Sequence, residues 1–525
     1  MSLIRLKTNQ HRLIASLRHA FTPHSMLGEL LQNARRAQAR HIHIIADGDT
    51  LILSDDGIGI ADLQSLIHIA ESGWDPALQA RENAFGLGIL STLYFAERLS
   101  VHSGSQSFRA STAAIIRGDD IEVQRAPPLI GTEIRLDGVQ SPQAGLSLSE
   151  WIGQRLERLC EAFPVRVSFN GAELARPLAD ASLPWRDTPM GRVLLDLSIS
   201  PRRWRCFLQG LPIGSGPTFE PSAYQVILLR DDIIARLPDR QHLLNEEDDH
   251  RRIQAAIDGA YRHALIEAKE RLPGSEFVEL YAETCLYSQN ADLLNDIPFV
   301  PRGWFRDWEG DPPGYRRYWE HYRLDGLSHR EALEEAGVWC IESERDDEPT
   351  AEVYLQARQT FLLEEPRVHA AHWLMRLART LTPDQVCVRH GPTLHTEAWP
   401  ELAERLAELV LVETLEISLE GECDAYPVVA VRKGDTLYLT PAADADDATR
   451  LICDYVFDDC YREERKDEDA QILRTFIAVG CSADAGQVVS ALLPDALRYT
   501  AQPRLAGATV QLVFDNDGKL REVKA

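Results

Sequence analysis

The sequence predicts an α+β chain. Antiparallel strands mix with helices over residues 1–180, a smaller α/β segment spans 181–275, and mixed α/β regions cover 276–440 and 441–525. Three observations carry this reading. HIHIIAD alternates like a strand, Asp-Gly-Asp makes a turn, and TLILSD reads as a second strand, which is a hairpin pattern. A capped restart, Thr22-Pro23-His24-Ser25, introduces the helix-forming run ELLQNARRAQAR at 29–40. Further on, the amphipathic segment SEWIGQRLERLCEAF leads into the strand-like VRVSFNG.

The elements follow in order. HRLIASLRHAF reads as a helix ahead of the restart. After the hairpin come the Gly-rich DDGIGI, a helix in ADLQSLIHIAES, and FGLGILSTLYFAERL, which starts Gly-rich and becomes helical. VHSGS and AAIIRG read as strands, as does GTEIRLD. Pro and Gly mark a boundary near 180–190. Beyond it RVLLDLSI, RRWRCFLQG and AYQVILLRD read as strands, a helix covers DDHRRIQAAIDGAYRHALIEAKERL, and RLPGS closes the segment. Later, LVLVETLEISL and YPVVAVRKGDTLYL are strands, AADADD is an acidic linker, and TRLICDYVFDDCYREER is a helix.

Composition bounds the function. With 525 residues, 44% of them hydrophobic, the chain can build several cores, and about three domains are expected. A net charge of −26 repels phosphate backbones, so nucleic-acid binding is not the default expectation. Acidic runs such as EEDDH read as solvated faces. No apolar run is long enough to predict a membrane span, and the N-terminus lacks a secretion pattern. The nine cysteines are scattered without a Cys-x-x-Cys pair, which suits a reducing cytoplasm and no zinc site.

Four short elements carry chemistry. Glu29 and Asn33 stand four apart and share a helix face, where a Glu can polarise water and an Asn oxygen can bind Mg²⁺. Such a pair also lines ordinary wet grooves. Asp55, at the end of a strand, can accept from an exocyclic amine such as that of adenine, and Gly57 and Gly59 allow close backbone approach. The plain alternative is a strand–turn–helix junction. Gly86 and Gly88 precede a helix and expose N–H groups to phosphate, in neither a P-loop nor a dinucleotide-binding pattern. Thr132 starts a strand in GTEIRL, where its hydroxyl can support Asp55.

In this order the four elements resemble the GHKL, or Bergerat-fold, ATPase superfamily, which includes gyrase B, the Hsp-ninety chaperones, histidine kinases, and MutL and MORC proteins. The resemblance implies a two-layer α/β sandwich over 1–180 and a transducer-like middle domain over 181–275. Glu29 then matches the general base, Asn33 the Mg²⁺ ligand, Asp55 the adenine-amine acceptor and Thr132 its support. Gly86 and Gly88 match the phosphate turn of a lid, with Ser72 and Leu87 among the ATP/ADP contacts. Arg240 or Gln241, in RLPDRQHLLNE, matches a residue reaching the γ-phosphate, although a surface Arg after a Pro turn is an equal reading. Histidine kinases lack this Glu. IAESGWD and FGLGILSTLYFAERLSVHS are similar to the chaperone lid. Two departures stand out: Arg36 occupies an Asp slot and Glu71 a Lys slot.

The implied function is a cytoplasmic, Mg²⁺-dependent, slow ATPase. ATP closes its lid and drives homodimerisation to act on a protein client. A nucleotide-gated regulatory protein with little hydrolysis and a MutL- or MORC-like DNA clamp stand as alternatives. The aromatics Trp304, Trp308, Tyr315, Tyr318, Trp319 and Tyr322 read as a small core under a loop rather than a stacking surface.

Overall fold

The computed structural model describes Arg18, residues 21–68, 88–214, 224–236, 242–306, Trp308, 325–342, 349–363, 368–397, 401–402, 405–406, 408–457 and 460–525. The chain is mixed α+β and divides into two compact units, one of residues 1–272 with 283–290, the other of 273–282 with 291–525.

In the first unit, helix α1 spans Pro23–Arg36. Its start is fixed by a reciprocal cap: the Thr22 hydroxyl accepts the Ser25 N–H at 3.2 Å, and the Ser25 hydroxyl accepts the Thr22 N–H at 3.0 Å. Pro23 sits where its missing N–H costs nothing. Strands β1 (His41–Asp47) and β2 (Thr50–Asp55) form the expected hairpin, with Gly48 at φ 56° in the turn. The short helix α2 (Gln64–Ile67) is all of ADLQSLIHIAES that is helical among the described residues, and the segment lies outside them from 69 onward. Helix α3 (Ile89–Phe95), strand β3 (Arg98–Ser111), helix α4 (Thr112–Arg117), strand β4 (Gln124–Asp137), helix α5 (Leu148–Cys160) and strands β5 (Arg166–Phe169) and β6 (Ala172–Glu173) follow.

The sheet has six strands in the order β3-β4-β2-β1-β5-β6. Among the described residues its one parallel pair is β1 with β5. Along β1, Ile42, Ile44 and Ala46 are buried while His41, His43 and Ile45 are exposed, so helices cover one face only. The core joins Met26, Leu27, Leu30 and Leu31 of α1 to Leu51, Leu53, Leu90, Leu93, Trp151, Ile152 and Leu156. Each such leucine stabilises by about 2 kcal/mol, which holds α1 on the sheet although it also carries polar groups.

Two expectations fail here. The AERL end of the predicted helix is extended: Ala96 leaves the helical region and Arg98 and Leu99 begin β3. AAIIRG is a helix, α4, and not a strand. Thr112 Oγ1 donates to the Ala96 carbonyl at 2.7 Å, and Gly118 closes the helix at φ 77°. An apolar run this short does not distinguish the two states by period.

A second sheet of the same unit, ordered β10-β9-β11-β8-β7, contains Arg186–Thr188 (β7), Gly191–Leu194 (β8), Trp204–Leu208 (β9), Leu211–Ile213 (β10) and Gln225–Leu229 (β11). Helix α6 (Glu246–Arg271) buries Ile253 and Ile257 against it. The EEDDH run is the first turn of α6, where its charges suit the helix dipole, and Asp249 is buried rather than solvated. Gln32 Nε2 donates to the Gln209 carbonyl at 3.2 Å, tying α1 to this sheet. The unit does not end at RLPGS. Helix α7 (Gly274–Tyr287) follows, and the Thr284 and Tyr287 hydroxyls both donate to the Leu197 carbonyl at 3.2 Å.

The second unit holds a parallel three-stranded sheet centred on Val338–Ile341 and larger strands from 386 to 439, with Leu409, Leu411, Ile417, Val431 and Leu437 in its core. Here another expectation fails. TRLICDYVFDDCYREER is not one helix: a hairpin of Val456–Phe457 with Cys460–Tyr461 separates Ala445–Thr449 from Glu463–Gly480, and Tyr455 turns the chain at φ 58°. AADADD is no linker, since Asp444 caps the first of these helices. Trp308 packs on the core and donates Nε1–H to the Thr360 carbonyl at 2.8 Å. Tyr315, Tyr318, Trp319 and Tyr322 lie outside the described residues.

Candidate functional site

The site forms around α1. Glu29 is buried at 6% exposure and Asn33 is half-buried one turn on. A further turn along the same face stands Arg36, also buried at 6%. Its Nη1 lies 3.4 Å from Asn33 Oδ1 and 4.0 Å from Glu29 Oε2. Gly88, immediately before α3, sits directly on Glu29: a Cβ at this position would fall onto the Glu29 carboxylate. The fold therefore brings two separated elements into contact where the sequence only ordered them.

Asp55 closes β2 opposite Thr132 of β4. Its carboxylate accepts the Gly57 N–H at 2.9 Å. Burial pushes the Asp55 carboxyl above the ordinary aspartate value; the Gly57 N–H opposes this, the neighbouring Asp56 charge adds to it, and the Thr132 N–H opposes it again. The Thr132 hydroxyl does not serve Asp55 as expected. It lies 3.1 Å from Ser103 Oγ. Ser103 in turn donates to the Gly131 carbonyl and accepts the Ile60 N–H, each at 2.8 Å. Thr132 thus supports Asp55 through its backbone, while its side chain fastens the loop that follows Asp55.

That loop is held tightly. Gly57 seats on the end of α1, where a Cβ would lie 2.5 Å from the Ala37 carbonyl oxygen, and Ile58 N–H donates to the same oxygen at 2.8 Å. Gly59 has φ +74° and faces Ser103. Asp56 accepts the N–H groups of Arg40 at 2.6 Å and His41 at 2.9 Å, and these bonds with the His41 ring hold its carboxyl down at about 2. Asp56 is therefore a clamp on the start of β1.

Glu29, Asn33, Asp55, Gly57, Gly59, Gly88 and Thr132 all lie on this connected set of contacts. Ser72, Gly86, Leu87, Arg240 and Gln241 lie outside the described residues, as do Glu71 and Phe85. Sequence reasoning missed Ser103, Asp56 and the reach of Arg36 toward Glu29. Only the last had a signal, its spacing along the helix. Among the described residues no group of three or more His, Cys, Asp or Glu is placed to hold a metal ion.

A scan against protein-family models and a search of curated proteins each find no match to this chain.

Proposed function

We propose that the first unit is a Bergerat-fold nucleotide site of the GHKL type and that the protein binds and slowly hydrolyses ATP. The observation that supports this most is the convergence on α1: Gly88 lies against Glu29, Gly57 lies against Ala37, and Asp55 pairs with Thr132. In this reading Asp55 accepts the adenine amine, Glu29 polarises the attacking water, and backbone N–H groups around Gly88 meet phosphate oxygens. Ser72, Gly86, Leu87 and Arg240 or Gln241 would complete the enclosure. Lid closure and homodimerisation would transmit the nucleotide state to a protein client. All nine cysteines are free thiols, which agrees with a reducing cytoplasm. No described helix is long and apolar enough to cross a membrane.

Calorimetry with ATP and ADP on wild type and Asp55→Asn, followed by phosphate release from the same samples, tests the proposal. Binding lost in the variant with slow release from wild type is the expected result. No binding by wild type removes the proposal.

A second reading is favoured by the Arg36 contact. A guanidinium 4.0 Å from Glu29 competes with water for the carboxylate. Nucleotide would then gate a partner with little turnover, and binding without phosphate release would select this reading.

A further inference from the structure

Nucleotide phosphates need a cation in the site that holds them. Mg²⁺ is small, demands oxygen ligands and fits near-octahedral geometry. The oxygen expected to meet it is Asn33 Oδ1, and that oxygen lies 3.4 Å from the Arg36 guanidinium. The Arg36 side chain is 2% exposed, so it is enclosed in the unit and does not extend into water. It also faces Glu29, the one carboxylate on this face of α1. A divalent cation on Asn33 would stand beside a fixed positive charge, with its oxygen already turned to that charge. The residues present do not suit the metal. They suit an anion with several oxygens, because a guanidinium presents a planar fork of donors that matches phosphate.

We infer that Arg36 is the built-in cation of the nucleotide site and holds the phosphates of ATP in place of a divalent metal. This rests on the nucleotide-binding reading above. It gives the Arg in the NARRA run a role: the chain carries a fixed charge where the resemblance implies an exchangeable ion. Glu29 then does a second job. It holds the guanidinium in the site before nucleotide enters, since a buried cation needs a partner.

The test is calorimetric titration of ATP into the full chain, once in EDTA and once in excess Mg²⁺. For wild type the two dissociation constants should agree within about threefold. Arg36→Ala should weaken binding in EDTA by at least about tenfold and regain part of it when Mg²⁺ is added. Arg36→Lys keeps the charge without the fork and should bind in EDTA more tightly than Arg36→Ala. Circular dichroism checks that each variant is folded, and the wild-type comparison decides the matter even if Arg36→Ala is not. Wild-type binding that disappears in EDTA and returns with Mg²⁺ overturns the inference and leaves the nucleotide reading standing. Arg36→Ala binding as wild type does in EDTA overturns it too. Absence of binding in both buffers overturns both.

Discussion

Asp55 and Asp56 are neighbours in sequence, yet their surroundings move their carboxyls in opposite directions. Burial raises Asp55, so its charge burdens the folded state once pH passes the ordinary aspartate value. Asp55→Asn should therefore melt at or above the wild-type temperature at pH 7, with the difference vanishing below about pH 3. A variant that melts well below wild type at neutral pH would contradict this. Asp56, held at about 2 by the Arg40 and His41 N–H groups, contributes stability above the unfolded aspartate value. That contribution falls away as pH drops from about 4 through about 2. Asp56→Ala should thus lower the melting temperature at pH 7, and the gap should close across that window; a gap that persists at pH 2 would refute the clamp. At Gly88 the prediction is steric. Gly88→Ala places a methyl on the Glu29 carboxylate, which must turn aside; phosphate release should be lost, while the stability cost read by chemical denaturation should stay at or below about 1 kcal/mol.

At the scale of elements, α1 depends on its start. Thr22→Ala removes one half of the reciprocal cap and should cost about 1 kcal/mol of unfolding free energy in urea. An unchanged midpoint would show that tertiary packing alone sets the end of the helix. The elements that were legible share one property: a long, clean period. Burial alternates through the whole of β1, with Ile45 the one apolar residue on its exposed face, and α5 keeps its apolar stripe from Leu148 to Leu159. AAIIRG misled because its helix spans only Thr112–Arg117 and its start is fixed by a contact outside the segment, the Thr112 bond to Ala96, while its one local signal was the closing Gly118. TRLICDYVFDDCYREER misled because its apolar residues fit a helical stripe, while the break depends on Tyr455 taking a left-handed conformation that its residue type does not announce. The site followed the same division. Glu29 and Asn33, which share a face through their spacing along one helix, were visible as neighbours, whereas Ser103 meets Thr132 through strand register and was not.

For the molecule as a whole, the end of the first unit matters most. A fragment ending at 275 lacks Thr284 and Tyr287, whose hydroxyls meet the Leu197 carbonyl, and Asn290, which accepts from Arg262 at 2.9 Å. Scanning calorimetry should show a fragment of residues 1–290 unfolding several degrees above one of residues 1–275; equal melting would mean that these contacts do not belong to the unit's stability. The net charge of −26 sets a second expectation, namely that fluorescence anisotropy at physiological salt detects no binding of duplex DNA. Tight, salt-sensitive binding would instead revive the clamp alternative.

The seat of Gly57 on the end of α1 bears on how this site would be read in a mutational scan. A side chain at 57 collides with the Ala37 carbonyl whether or not any ligand is present, so intolerance there would report folding. Asp55 is different, since removing its buried charge favours the folded state. Selection for abundance alone would accept Asn at 55 and reject Ala at 57. Selection for activity would reject both, and the contrast between the two screens separates the groove's shape from its chemistry.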